Sequence, residues 1–183
     1  MAHDLKPFRD YSEHDVINLF AFTGDQTLIV KGLAVRVTGE GFVSSPNSSP
    51  TELLGNVGAS FPNSQSQRFG VKSKIIAAPS GDGTVLGLTL LDVREFDENG
   101  EKLVFNPRKA AEMNVVVSGQ AVPVLTKGIV LYSGTAATAG HVAYVGATAG
   151  ELASAASLPA GAVKVGKWLG NHSSNVALLK IEL

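Results

Sequence analysis

AVPVLTKGIVLYS, at residues 121–133, is the first of four short apolar stretches that fill the C-terminal third of this chain. The others are HVAYVG at 141–146, AVKVGKWLG at 162–170 and VALLKIEL at 176–183, and turns rich in Gly, Ala, Ser and Thr separate them. In the last stretch apolar and charged residues alternate with period two, which is typical of a half-buried strand. The four stretches therefore predict an antiparallel β-barrel or sandwich.

Two hairpins are predicted outside the C-terminal third. Residues 16–22 and 27–37 are β-branched, aromatic or aliphatic, and the turn sequence TGDQ lies between them. The second hairpin joins residues 84–96 to residues 101–105 through Asn99-Gly100, because both residues of that pair tolerate the positive φ of a tight turn. These pairs extend the mainly β assignment to the rest of the chain.

Helix is predicted only in short segments. Asn106 is a good N-cap, Pro107 suits the first helical position, and good helix formers continue to Met113. A Ser-Pro-Thr-Glu capping box at residues 49–52 predicts a second short helix. The Ala-rich segment 147–160 fits either a helix or a long loop, because Gly and Pro residues flank it. The predicted fold class is therefore mainly β with one or two short helices.

The domain organisation follows from shifts in composition along the chain. Residues 1–15 are polar, contain a proline and predict an extended N-terminal arm, whereas residues 16–183 predict a β-rich domain. Within that domain, residues 39–70 are rich in Ser, Pro and Asn and predict a long irregular loop. Two strand–turn–strand segments of the sequence are weakly similar. The similarity fits a duplication into two β units at about 16–105 and 114–183, and it also fits a chance similarity between strand pairs.

The composition excludes several classes of function. Of the 183 residues, 44% are hydrophobic and 17% are charged, which is enough apolar material for a core and for some interface. A net charge of −1 gives no overall positive field, so we expect no nucleic-acid partner. The absence of cysteine excludes disulfides and thiolate chemistry. No run is long enough to span a bilayer, and the first residues lack the apolar stretch of a signal peptide, so we expect a soluble protein without a membrane partner.

The side chains that usually carry catalysis form no recognisable motif. His3, His14, His141 and His172 match neither an HxH nor an HExxH pattern, and no GxSxG nucleophile motif occurs. Neighbouring carboxylates lie on or beside predicted strands and turns, and the glycine-rich sequence SGDG at 80–83 lacks the Lys of a phosphate-binding loop. We therefore predict a protein that is not an enzyme, with no catalytic residue, no metal site and no cofactor.

Aromatic side chains are the candidates for an interface. Trp168 is the only tryptophan, and its place near a strand end fits either the core or a subunit contact. Phe8, Tyr11, Phe20 and Phe22 near the N-terminus have the same two interpretations. Anchoring aromatics on an arm favour contact with another subunit.

A pattern of strands and glycines covers residues 119–183. It comprises a strand pair around a Lys-Gly step (PVLTKGIVLYSG), a Gly-led strand (AGHVAYVGATAGEL), a small-residue loop (SLPAGAVKVGKWLG) and a closing strand (NVALLKIEL). In this pattern the chain resembles the small head decoration, or cement, proteins of tailed bacteriophages and related virion proteins. The N-terminal sequences FRDY and NLF also resemble those of phage structural proteins.

The resemblance implies a structural role in a virion. Proteins of this kind sit on the outside of an icosahedral head, usually as dimers or trimers over capsomer junctions, and strengthen the shell. It implies the major capsid protein as partner, a homo-oligomer, synthesis in the host cytoplasm and a final location on the capsid surface. The arm and the loop 39–70 would then lie along neighbouring subunits.

Two other classes of function stay open at this point. A carbohydrate-binding or adhesin-like module of a phage tail or fibre would need Trp168 and either Tyr132 or Tyr144 exposed on one face. A hydrolase would need a concave site with a perturbed histidine or carboxylate, and no local motif indicates one. The order of preference is decoration protein, carbohydrate-binding module, hydrolase.

Overall fold

The computed structural model describes residues 4–7, 15–24, 28–39 and 73–183. Over these residues the fold is mainly β with very little helix, which confirms the predicted class. The predicted arm, apart from residues 4–7 and 15, lies outside the described residues. So does residue 40 onward of the predicted loop 39–70, including the helix predicted from the capping box at 49–52.

Fourteen strands and two short helices make up the described ranges. In chain order the strands are β1 (Asp4–Pro7), β2 (Val16–Ile17), β3 (Leu28–Ile29), β4 (Ala34–Val37), β5 (Ile75–Ala77), β6 (Val85–Thr89), β7 (Asp92–Arg94), β8 (Val115–Val117), β9 (Val124–Leu125), β10 (Lys127–Ser133), β11 (Val142–Val145), β12 (Leu152–Ala155), β13 (Lys164–Ser173) and β14 (Val176–Glu182). A 3-10 helix (Leu103–Phe105) and helix α1 (Pro107–Glu112) lie between β7 and β8.

The first sheet is six-stranded and antiparallel, in the order β1-β10-β14-β13-β11-β12. The four apolar stretches of the C-terminal third form strands, as predicted, and the structure places four of these strands at the centre of this sheet. In β14 the predicted alternation holds, because Ala177, Leu179 and Ile181 are fully buried and Lys180 is exposed. Segment 147–160 contains strand β12 and turns, and no helix.

The second sheet shows that the predicted hairpin between residues 16–22 and 27–37 is wrong. Its order is β2-β9-β6-β4-β5, so Val16 pairs with Leu125 in β9, whereas β3 joins a different sheet and pairs with β7. Both segments contain strands, but each finds its antiparallel partner far along the chain. Strands that are neighbours in sequence often pair, but they need not. The pairing partner of a strand depends on which strands bury their apolar side chains on the same face.

The third sheet has the order β3-β7-β8, and β8 runs parallel to β7. A parallel pair needs a crossover of about a dozen residues or more, and the 3-10 helix and α1 lie in that crossover. The turn at Asn99-Gly100 is confirmed, with Gly100 at φ 82° and an isolated bridge between Phe96 and Lys102. The predicted strand over 101–105 is wrong, because Leu103–Phe105 is a 3-10 helix.

Helix α1 begins as the sequence predicts. The Asn106 side chain accepts a hydrogen bond from the backbone N–H of Lys109, and Pro107 occupies the first turn. The helix ends at Glu112 with Met113 as its C-cap, and Asn114 follows in the left-handed region at φ 53°. These local signals determine the conformation of the crossover, which includes the 3-10 helix Leu103–Phe105.

Two apolar clusters hold the sheets together, and the second sheet contributes to both. Ala34, Leu88 and Leu125 pack against side chains of the first sheet in the first cluster, whereas their neighbours Val35 and Val124 pack into the second cluster. Because the buried side chains alternate in this way, both faces of the second sheet are covered. The second and third sheets also mix strands from the two predicted β units, 16–105 and 114–183.

Candidate interaction surfaces

The aromatic residues predicted as interface candidates fall into three environments. Phe8 and Tyr11 lie outside the described residues. Phe20 is half-buried against the second cluster, and Phe22 belongs to that cluster with 3% of its surface exposed. Trp168 is fully buried in the first cluster. Phe22 and Trp168 therefore stabilise the fold of this chain and offer no surface to a partner.

Trp168 points inward because β13 is irregular. Regular alternation would place Trp168 on the same face as Lys164, yet Lys164 is exposed and Trp168 is buried. The register with β11 shifts between Ala143 and Tyr144, whose partners are Gly166 and Lys164. This extra residue in β13 is a β-bulge, and it turns the following residues over to the opposite face.

Tyr132 lies beside Trp168 in the same cluster. The two rings meet edge to face, with their centroids 5.8 Å apart and an interplanar angle of 66°. The Tyr132 hydroxyl accepts a hydrogen bond from the backbone N–H of Leu152 at 3.3 Å, which ties β10 to β12. With Trp168 and Tyr132 both buried, the exposed aromatic face that a carbohydrate module would need is not formed by this pair.

We expect Tyr132 to make the fold sensitive to alkali. Burial raises the pKa of Tyr132 to about 12, from about 10 in an unfolded chain. Because the folded state favours the neutral phenol, this contribution to stability is complete below pH 10 and is lost as the pH rises through 12. Denaturant titrations should show a loss of about 1 kcal/mol near pH 11 that the Tyr132→Phe variant lacks. An identical alkaline loss in both proteins would contradict the assignment.

His141 and Asp92 make contacts that connect strands and fix a turn. His141 Nδ1 lies 3.2 Å from Ser154 Oγ, but no carboxylate is hydrogen-bonded to this imidazole in the described parts of the chain. Asp92 accepts a hydrogen bond from the backbone N–H of Lys31 and so fixes the turn before β4. His172 is exposed. These contacts hold turns and strands, and among the described residues they form no Ser-His-carboxylate triad.

The glycine-rich sequence SGDG is a turn, as predicted, and Asp82 fastens it. Its carboxylate accepts hydrogen bonds from the backbone N–H of Thr84 at 2.8 Å and from the Thr84 hydroxyl at 2.7 Å. Arg36 of β4 makes an ion pair with the same carboxylate at 3.1 Å. The hydrogen bonds from Thr84, followed by the charge of Arg36, lower the pKa of Asp82. Asp82 therefore connects the turn at residues 80–83 to strand β4.

The most exposed large apolar side chain in the described ranges is Phe105, with 83% of its surface accessible. Val104 beside it is 58% exposed, whereas Leu103 is buried beneath them in a small cluster with α1. A shallow groove of about 470 Å³ adjoins Phe105 and is also lined by Glu101. Because a capped helix and a tight turn hold this segment on both sides, Phe105 is presented on a rigid support.

A second surface lies on the outer face of the first sheet, and we call it the leucine–lysine face. Its side chains alternate with the buried residues of the three central strands. It comprises Lys127, Ile129 and Leu131 of β10, Lys164, Lys167 and Leu169 of β13, and Leu178, Lys180 and Glu182 of β14.

The leucine–lysine face has an apolar centre and a basic surround. Leu131 pairs with Leu178 across β10 and β14, and Leu169 is 44% exposed beside them. These leucines line a groove of about 320 Å³ together with Gly170, Asn171 and His172. All four lysines are exposed, and the single Glu182 lies 3.6 Å from Lys180. No motif of the sequence indicated this surface, because its residues come from three separate strands.

Comparison with protein-family models, with curated proteins and with solved structures found no match to this chain. Within residues 4–7, 15–24, 28–39 and 73–183, no three His, Asp or Glu side chains come together in a way that could hold a metal ion. Over the same part of the chain, no helix is long and apolar enough to cross a membrane.

Proposed function

We propose that this chain is a virion structural protein that binds the outer surface of a phage capsid and stabilises the shell. The observation that carries the proposal is the display of apolar side chains on a rigid β framework, with Phe105 83% exposed and Leu169 44% exposed. Exposed apolar groups rimmed by polar residues are typical of protein–protein contacts. The strand and glycine pattern of residues 119–183 adds the resemblance to decoration proteins.

The construction of the fold suits a binding protein that works through repeated copies. Asp92 and Asp82 fix turns, and the buried aromatic side chains stabilise the scaffold. A weak contact, repeated by a homo-oligomer over a lattice of identical capsid subunits, gains strongly in avidity. We propose a dimer or trimer on the capsid surface, made in the host cytoplasm, with the major capsid protein as partner.

The carbohydrate-binding alternative gains no support from the described residues. Trp168 and Tyr132 are buried, and Tyr144 is half-buried on the outer face of β11. Sugar platforms need an accessible aromatic ring face, because stacking uses the flat surface of the ring. The capsid-binding proposal is the one that uses the apolar groups that are exposed.

Co-sedimentation with phage heads that lack this protein tests the proposal. We expect the purified protein to pellet with such heads and to saturate at a copy number that matches one kind of position in the capsid lattice. Heads heated with and without the saturating protein should differ in the temperature at which they rupture, because binding to the intact shell stabilises it by mass action. Failure to bind at any protein concentration would contradict the proposal.

A further inference from the structure

We propose that the leucine–lysine face is the surface with which this protein docks, and that it docks onto an acidic, aliphatic patch of the major capsid protein. The inference rests on the proposed function and adds the docking face and the chemistry of the surface that it meets. It is carried by the leucines at the centre of the face and by the lysines around them.

The leucines of the face have no role in the core. Trp168 and Leu179 on the inner side of β13 and β14 already fill the first cluster and are fully buried. Leu169 and Leu178 project from the same strands to the opposite side, where Leu169 keeps 44% of its surface exposed. An apolar centre in a polar, charged rim is the usual anatomy of a protein–protein contact.

The lysines of the face oppose one another in the middle of the sheet. Lys167 pairs directly with Lys180 across β13 and β14, and like charges directly opposite destabilise an antiparallel pair. Lys180 has Glu182 at 3.6 Å, whereas Lys167 makes no ion pair within the described residues. A carboxylate from a partner placed over this pair would offset the repulsion, so the arrangement fits an acidic surface.

The positive charge of this face also indicates which kind of partner binds it. In a two-fold contact, the leucine–lysine face of one copy would pack against the same face of a second copy. The four lysines of each copy would then repel those of the other. A nucleic acid would satisfy the lysines but would leave the leucine groove uncovered, since phosphates contact cationic groups and not aliphatic ones. A protein surface with carboxylates around an aliphatic protrusion satisfies both parts of the face.

Two variants of exposed side chains test the docking face by co-sedimentation with phage heads that lack this protein. We expect Lys167→Glu and Leu169→Ser each to weaken head binding by roughly tenfold or more. Wild-type binding should also weaken as salt is raised. Lys167→Glu creates an opposite-charge pair with Lys180, so its thermal unfolding midpoint should not fall.

The matched controls are exposed residues that do not belong to the face. Arg108→Glu makes the same change of charge on α1, where the side chain is 90% exposed, and Leu158→Ser makes the same change of polarity at a 42% exposed leucine. We expect both controls to bind heads within about twofold of wild type, because surface changes outside an interface have small effects.

The outcomes separate this inference from the proposed function. Wild-type binding together with unchanged binding of Lys167→Glu and Leu169→Ser would overturn the docking face and leave the capsid-binding function standing. A Phe105→Ser variant that loses binding while Lys167→Glu and Leu169→Ser keep it would place the docking surface at Phe105 and would also overturn the inference. Binding of duplex DNA that is lost in Lys167→Glu would assign the face to nucleic acid and overturn the inference. No binding of wild type to heads would overturn both proposals.

Discussion

Replacing Trp168 with alanine is expected to lower the free energy of unfolding by about 3–5 kcal/mol, the range for a large aromatic side chain removed from a packed core. Trp168 is fully buried, lies at the centre of the six-stranded sheet and packs against Tyr132. The midpoint of thermal unfolding should fall by roughly 10 °C or more. Circular dichroism is the appropriate probe, because Trp168 is the only tryptophan and its fluorescence disappears with the substitution.

Trp168→Phe is the matched control for the alanine variant. Among the described residues the indole N–H of Trp168 has no hydrogen-bond acceptor, and a buried donor without a partner costs free energy. Phenylalanine keeps an aromatic ring and removes that donor, so we expect less than half of the loss caused by alanine. Equal losses in the two variants would show that the ring does not pack as described.

The second large effect is expected from Gly166→Ala, in the strand next to β14. A Cβ at residue 166 would lie inside van der Waals contact of the Lys180 carbonyl oxygen and 3.2 Å from the Ile181 Cα. Both are backbone atoms of the paired strand, so no rotamer change relieves the clash. We expect a loss of about 3 kcal/mol, at the upper end of the usual range for overpacking, measured by denaturant unfolding.

Gly83→Ala provides the comparison for Gly166→Ala. At residue 83 the nearest atom to an added Cβ is a Val163 methyl group at 4.0 Å, which is ordinary contact. The backbone there is not in the left-handed region, so we expect a change within about 0.5 kcal/mol. A similar loss at residues 83 and 166 would mean that the close approach of β13 and β14 is not the cause.

Local features of the fold were predictable from the sequence. The Asn99-Gly100 turn, the Asn106 cap of α1 and the alternation in β14 depend on residues within a few positions of one another. Each of them has a short-range physical cause. Glycine tolerates the positive φ of the turn, the amide side chain of Asn106 accepts a hydrogen bond from a backbone N–H at the start of the helix, and side chains of a strand alternate between its two faces. Each of these three signals has a counterpart in the structure.

Non-local features were not predictable in the same way. The pairing of β2 with β9 joins residues more than a hundred positions apart, and the bulge in β13 depends on its register against β11. The leucine–lysine face depends on the bulge and on the pairing of β14 with β10 and β13, because Leu131, Leu169 and Leu178 share a face only after these three strands are aligned. In the sequence, the exposed alternate face of β14 with Leu178 and Lys180 was the available signal.

Electron cryo-microscopy of phage heads saturated with this protein would show where it binds and through which face. We expect density for the β-rich domain on the outer surface of the shell, with β13 and β14 facing the major capsid protein. Carboxylates of the capsid protein should lie near Lys167 and Lys180. Heads without added density, or density with the first sheet turned away from the shell, would contradict the account.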